Sequence, residues 1–207
     1  MKRLFIATKV ELSPEFTTLN HQLQYALRHD DIVWVQDEVR HLTLRFLGAT
    51  PDFKIPALKK SIAEVCQDSS PFYLELNKLG AFGSRYKPEV LWLGFDEFFF
   101  FKQLFEKLEP KIQELHFDEY YGNFVPHITL GRVKNVLNKQ RFWKSVDSLT
   151  PTFSQPIFIK ELTLYQSFLH NDGPEYKVLG QYELGVADRL GSSQSWVSDK
   201  TFFEDKK

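Results

Sequence analysis

The chain has 207 residues, 43% hydrophobic and 26% charged, a balance that excludes wholesale disorder. No apolar run approaches the roughly 18 residues of a membrane span. With 26 Lys and Arg against 27 Asp and Glu the net charge is −1, which argues against massed contacts to a long duplex but leaves room for a small anion held by a few local charges. A single cysteine, Cys66, precludes an intrachain disulfide, and the charged start Met1-Lys2-Arg3 does not read as a secretory signal, so a cytoplasmic setting is expected.

Leu4–Lys9 reads as a strand. Ser13-Pro14 then opens a helix, with a hydroxyl to cap it and proline at its first position, and Phe16, Leu19, Leu23 and Leu27 form its apolar stripe. Ile32–Val35 and His41–Leu47 are predicted strands, and Pro56–Gln67 is a predicted helix carrying Leu58, Ile62 and Val65 on one face. Tyr73–Leu79 and Val90–Phe95 are predicted strands joined by the turn-rich segment Gly80–Pro88. The run Phe98–Phe101 is better read as the start of a helix than as a ligand platform. Phe98, Phe101, Leu104, Phe105, Leu108, Ile112 and Leu115 keep helical spacing, while Phe99 and Phe100 face elsewhere. A strand at His127–Val133, a helix at Asn138–Ser148, and strands at Pro156–Tyr165 and Tyr176–Leu184 complete the order. Strands with interspersed helices imply an α+β fold, with helices packed on largely antiparallel sheet. Residues 1–185 read as one unit, and 186–207 as a polar C-terminal extension.

One internal repeat stands out. His41-Leu42-Thr43-Leu44 recurs as His127-Ile128-Thr129-Leu130, and a chance match with apolar neighbours in both copies is on the order of one in a thousand. In a strand, residues two apart share a face, so each His stands beside its Thr while Leu or Ile anchors the other face. If both copies line one cleft, two imidazoles and two hydroxyls converge, a set suited to phosphoryl chemistry. The threonines donate to phosphate oxygens, one neutral His takes a proton from water, and one protonated His supplies a proton to the departing alkoxide. Such an in-line displacement wants the two catalytic nitrogens roughly 5–8 Å apart. Histidine titrates near 6.5, so modest opposite shifts would leave one imidazole neutral and the other charged. By strand period Arg45 shares the face of His41 and Thr43 and is a candidate phosphate ligand. Arg132 lies on the opposite parity from His127 and reaches the cleft only if its strand ends or bulges at Gly131.

His21, His29, His116 and His170 lack Thr two places on and are read as surface residues. A metal site is disfavoured because neither motif holds an acid and threonine is a poor ligand, and Cys66, at the edge of a helical stripe, is not read as a nucleophile. No metal or cofactor is therefore expected.

The paired motifs resemble the signature of the 2H phosphoesterase superfamily, and the wider pattern resembles its bacterial and archaeal RNA 2′,3′-cyclic phosphodiesterase branch, historically called 2′-5′ RNA ligase. The likeness extends over Arg3–Ala7, Val33–Val35, Phe46–Gly48, Val90–Gly94, Pro126–Leu130 with Arg132, and Leu164–Ser167 with Gly173–Tyr176, so it covers residues 1 to about 184. It implies two pseudo-symmetric lobes around a central cleft and hydrolysis of an RNA or nucleotide 2′,3′-cyclic phosphate to a 2′-phosphomonoester. It also implies His41 as proton donor and His127 as proton acceptor, an order the symmetric repeat alone cannot supply, with Thr43 and Thr129 holding the phosphate. Partners are then RNA ends or nucleotides bearing a cyclic phosphate, with no membrane, no protein partner and a monomeric chain expected. The competing readings are a phosphodiesterase for 2′-5′-linked oligonucleotides or ADP-ribose cyclic phosphate, and a non-catalytic RNA-end-binding module. Phe5, Phe46, Tyr86 and Tyr165 could stack on a base, although core packing is the commoner use of each.

Overall fold

The computed structural model of the protein describes residues 1–170 and 173–185, and the polar extension from residue 186 lies outside them. In chain order the elements are β1 (Lys2–Lys9), α1 (Pro14–Ala26), β2 (Asp31–Trp34), β3 (His41–Thr50), α2 (Ile55–Gln67), β4 (Phe72–Ser84), β5 (Lys87–Phe95), α3 (Phe99–Glu114), β6 (His127–Asn135), α4 (Lys139–Ser148), β7 (Gln155–Ile159), β8 (Glu161–His170) and β9 (Gly173–Glu183). Local chemistry sets the helices. Ser13 caps α1 by accepting from the Phe16 N–H at 3.4 Å, Asn138 caps α4 by accepting from the Arg141 N–H at 2.9 Å, and the predicted stripes of α1 and α2 are buried, as is that of α3 apart from the half-buried Phe98, Phe105 and Leu115. Phe99 and Phe100 turn outward as their spacing requires.

All strand pairs are antiparallel and join one sheet in the order β7-β4-β5-β6-β3-β1-β8-β9, with β2 added on β6. The order has a centre. β3 and β6, the two motif strands, adjoin through the single pair Leu42↔Ile128, and each continues outward through three further strands. These are the two pseudo-symmetric lobes.

Two details differ from the sequence reading. The stretch Pro156–Tyr165 is two strands, β7 and β8, separated by Lys160 and belonging to different lobes. In a flat sheet β7 and β8 would stand about 29 Å apart, six spacings of about 4.8 Å, yet two residues of chain span about 7 Å at most. The sheet must therefore curl strongly, bringing its far strands together. The second difference is Gly80–Pro88, which is mostly strand, with only Arg85-Tyr86 between β4 and β5. Of its two glycines, Gly83 at φ 101° serves the reversal, whereas Gly80 serves a close approach. Gly80 and Gly94 flank the Trp92 indole, and a Cβ on Gly94 would fall 2.8 Å from that ring.

Candidate active site

The pair Leu42↔Ile128 buries both side chains completely. One residue further along each strand the same register sets His41 across from Thr129 and Thr43 across from His127, all four on the opposite, partly exposed face. His41 and His127 are then diagonal neighbours, about 7–8 Å apart at the backbone, comparable with the separation an in-line displacement requires.

Each imidazole is held in the same way. Nδ1 of His41 donates to the Val39 carbonyl at 2.8 Å, and Nδ1 of His127 donates to the Val125 carbonyl at 2.8 Å. A carbonyl only accepts, so Nδ1 carries the proton and Nε2 is left as the working nitrogen. Aromatic rings fix the orientation. Phe5 lies 4.9 Å from His41 and Tyr176 stands edge-on to it at 5.2 Å, while Phe82 stands edge-on to His127 at 4.7 Å. Burial pushes both imidazoles below the ordinary histidine value, opposed by the carbonyl bonds. The charge of Arg132 adds to the depression of both, and the neighbouring His127 adds to that of His41. Both histidines are thus shifted downward, where the sequence reading expected opposite shifts.

A β-bulge decides the fate of each candidate arginine. On β3 the partners of β1 run Ala7↔Thr43, Ile6↔Arg45 and Phe5↔Phe46, so Leu44 is an extra residue. On β6 the partners of β5 run Trp92↔Thr129, Leu91↔Gly131 and Val90↔Arg132, so Leu130 is extra. Each bulge reverses the parity beyond it. Arg132 therefore joins the motif face, through a bulge one residue earlier than the sequence required.

Arg45 leaves that face, which corrects its expected role as a phosphate ligand. It shares the side of the fully buried Ile6 and is itself 7% exposed. Its guanidinium forms a two-pronged pair with Glu109 of α3, Nε–Oε2 2.8 Å and Nη2–Oε1 3.0 Å, and it also donates to the carbonyls of Phe46 and Asp118. Glu109 Oε1 in turn accepts from the Tyr120 N–H at 3.2 Å. The pair thereby ties β3 to the segment that leads into the second motif.

The other histidines stay out of the cleft. His21, His29 and His116 are exposed, and His170 pairs with Glu175 at 3.2 Å. Burial pushes the Cys66 thiol up to about 12, which leaves it protonated and inert. Among the described residues no three His, Cys, Asp or Glu side chains group as a metal ion would need, and no helix is long and apolar enough to cross a membrane. A surface concavity of about 670 Å³ between the β4–β5 turn and α4, lined by Arg85, Trp143 and Lys144 among others, contains none of the motif residues.

Sequence reasoning missed Val39 and Val125, whose carbonyls hold the imidazoles. The signal was present, since both motifs read Val-x-His-x-Thr-Leu. Trp92 and Tyr176 fall within segments of family likeness but, like Phe82, show no local pattern that assigns them to the motif face, to which tertiary pairing brings all three.

Comparison with known proteins adds an independent line. The family model described as LigT like Phosphoesterase matches residues 9–92, a stretch that includes the first motif and ends before the second. The RNA 2′,3′-cyclic phosphodiesterase of Thermotoga maritima is 31% identical over 155 residues, covering 74% of this chain and 81% of that protein. The RNA 2′,3′-cyclic phosphodiesterase of Methanocaldococcus jannaschii is 26% identical, covering 87% and 99%. A crystal structure of a Thermus thermophilus protein superposes with a TM-score of 0.73 at 26% identity, covering 89% and 98%. That of E. coli LigT complexed with 3′-AMP superposes with a TM-score of 0.63 at 23% identity, covering 88% and 98%, a likeness of fold.

Proposed function

The chain belongs to the LigT-like phosphoesterase family, and from that premise we propose that it hydrolyses 2′,3′-cyclic phosphates of RNA ends or nucleotides to 2′-phosphomonoesters, without a metal ion. One observation carries the reading: both His-x-Thr pairs stand on one face of adjoining strands, with each Nδ1 tied to a backbone carbonyl.

In the proposed step, Thr43 and Thr129 hydroxyls donate to the non-bridging oxygens and Arg132 balances their charge. Nε2 of His127 takes a proton from water as its oxygen attacks phosphorus. The bond from phosphorus to O3′ breaks on the far side, and Nε2–H of His41 gives its proton to that oxygen. Burial and the Arg132 charge work against the proton that His41 must hold as the acid, and the negative charge of the substrate works for it. A bound phosphate anion raises a neighbouring imidazole, opposing the burial and the Arg132 charge that lower it. A proton taken by one imidazole and a proton given by the other call on no Lewis acid and no cofactor.

The test is incubation of the chain with 2′,3′-cyclic nucleotides in the presence and absence of EDTA, with the product identified by phosphorus NMR. Formation of the 2′-monoester at an undiminished rate in EDTA is expected. A 3′-monoester would reverse the leaving oxygen, and loss of turnover in EDTA would remove the metal-free mechanism.

A further inference from the structure

Beyond Arg132 the strands of its lobe run on toward the tip of the β4–β5 hairpin. Arg132 pairs with Val90 of β5, and Tyr86 at the tip lies four residues from Val90, about 13 Å at the rise of a strand. On β6 the exposed Lys134 follows Arg132, with the buried Val133 between them. The Trp143 indole N–H of α4 donates to the Arg85 carbonyl at 3.0 Å, and the Arg85 guanidinium lies 5.8 Å from that ring, so helix and hairpin tip form one surface. α4 buries Phe142 and Val146 and turns its other side outward, where Lys139 and Lys144 stand exposed beside the half-buried Trp143. Tyr86 is left 81% exposed at the tip. The concavity between helix and tip is thus bordered by Arg85, Lys139 and Lys144, with Asp147 as its one acid among the described residues. None of these three cations, nor Arg132 or Lys134, enters an ion pair among the described residues, whereas the neighbouring Lys87 pairs with Glu89.

Resting on the function proposed above, we infer that the surface shared by the hairpin tip and α4 docks the single-stranded RNA that precedes the terminal cyclic phosphate, so that the chain selects RNA ends over mononucleotides. Unpaired cations with aromatic faces among them match a strand of phosphates and unstacked bases. The position fits as well. A strand whose terminal phosphate sits at Arg132 passes Lys134 and reaches the hairpin tip as it leaves the cleft. At a net charge of −1 the chain as a whole offers phosphates no diffuse attraction, so affinity for the strand rests on this local group. Every base has an aromatic face, so Tyr86 and Trp143 register the presence of a strand and not its sequence.

The experiment is steady-state kinetics of the full chain on 2′,3′-cyclic AMP and on an oligoribonucleotide of about ten nucleotides ending in a 2′,3′-cyclic phosphate, over a range of salt concentrations. The wild type should show the lower KM for the oligonucleotide. That KM should rise with salt at a log–log slope of about 2, three phosphate contacts at about 0.7 each, and the mononucleotide KM less steeply. Arg85→Gln, Lys139→Gln and Lys144→Gln together should remove the difference in slope and raise the oligonucleotide KM roughly 10-fold at low salt. Tyr86→Ala should raise it about fivefold or more, from the loss of one stacked base. Both proteins should turn over 2′,3′-cyclic AMP as the wild type does, which also reports that they fold. Equal KM and salt slope for the two substrates in the wild type, or equal losses on both in the variants, overturn the inference and leave the proposed function standing. If neither substrate is turned over, the proposed function fails and the inference falls with it.

Discussion

The two halves of the sheet repeat one backbone device and fill it differently. Each has an imidazole tied to the carbonyl two residues upstream, a threonine two residues downstream, and a bulge at the following leucine. Beyond the bulge they diverge. The inward-turned position is Arg45, locked to Glu109, in one lobe and Gly131 in the other, where a Cβ would lie 2.8 Å from Ile32. Opposite the threonines stand Ala7 in one lobe and Trp92 in the other. The repeat thus supplies two matching imidazole and hydroxyl pairs, and the unlike neighbours make the two halves of the motif face differ.

Breaking the symmetric part should have the largest effect. His41→Ala and His127→Ala should each lower kcat/KM by about 10²–10⁴, with the far-ultraviolet circular dichroism spectrum retained. A variant with near wild-type turnover would take that ring out of the chemistry.

Breaking what is peculiar to one lobe tests stability. Glu109→Gln leaves the Arg45 charge buried, and removing one partner of such a pair costs about 3–5 kcal/mol, readable as a fall in the urea midpoint. Arg45→Met with Glu109→Met should recover much of that loss, because no charge is then stranded. A Glu109→Gln protein as stable as wild type would show that the pair is not tied as described.

The threonines sharpen the comparison at smaller scale. Thr43→Val and Thr129→Val each delete one neutral donor, worth about 1 kcal/mol, so kcat/KM should fall roughly fivefold in each. Unchanged kinetics in either would reduce that threonine to a packing role.

The smallest effect is a displacement along the pH axis. Both imidazoles are lowered in the free cleft by burial, so the acid limb, where the base must lose its proton, and the alkaline limb, where the acid must keep its own, both move down. The bell for kcat/KM should therefore centre below pH 6.5, and the bell for kcat should lie higher, because bound phosphate raises the acid. A kcat/KM profile centred above pH 6.5 would contradict the lowered imidazoles.

Much of this arrangement was legible in the amino-acid order. The helices follow from caps and stripes that act within a few residues, as Ser13 and Asn138 show. The motif pair follows from a short local repeat, and the shared face of each His and Thr from the strand period. Family likeness pointed to the two lobes and the class of chemistry. Arg45 marks the boundary of such reasoning: parity counts alternate residues, and one bulge, set by how β1 lies against β3, reverses every later assignment on the strand.

The sequence by itself determined the two imidazole and hydroxyl pairs on which the proposed chemistry rests, because the repeat and the alternation that groups them are properties of short segments. Only the tertiary structure decided that β3 and β6 adjoin, that Arg132 turns to the motif face while Arg45 pairs inward with Glu109, and that Phe5 lies against His41. Those outcomes depend on strand register and sheet curl. Both are settled by the packing of residues far apart along the chain, to which no local pattern has access.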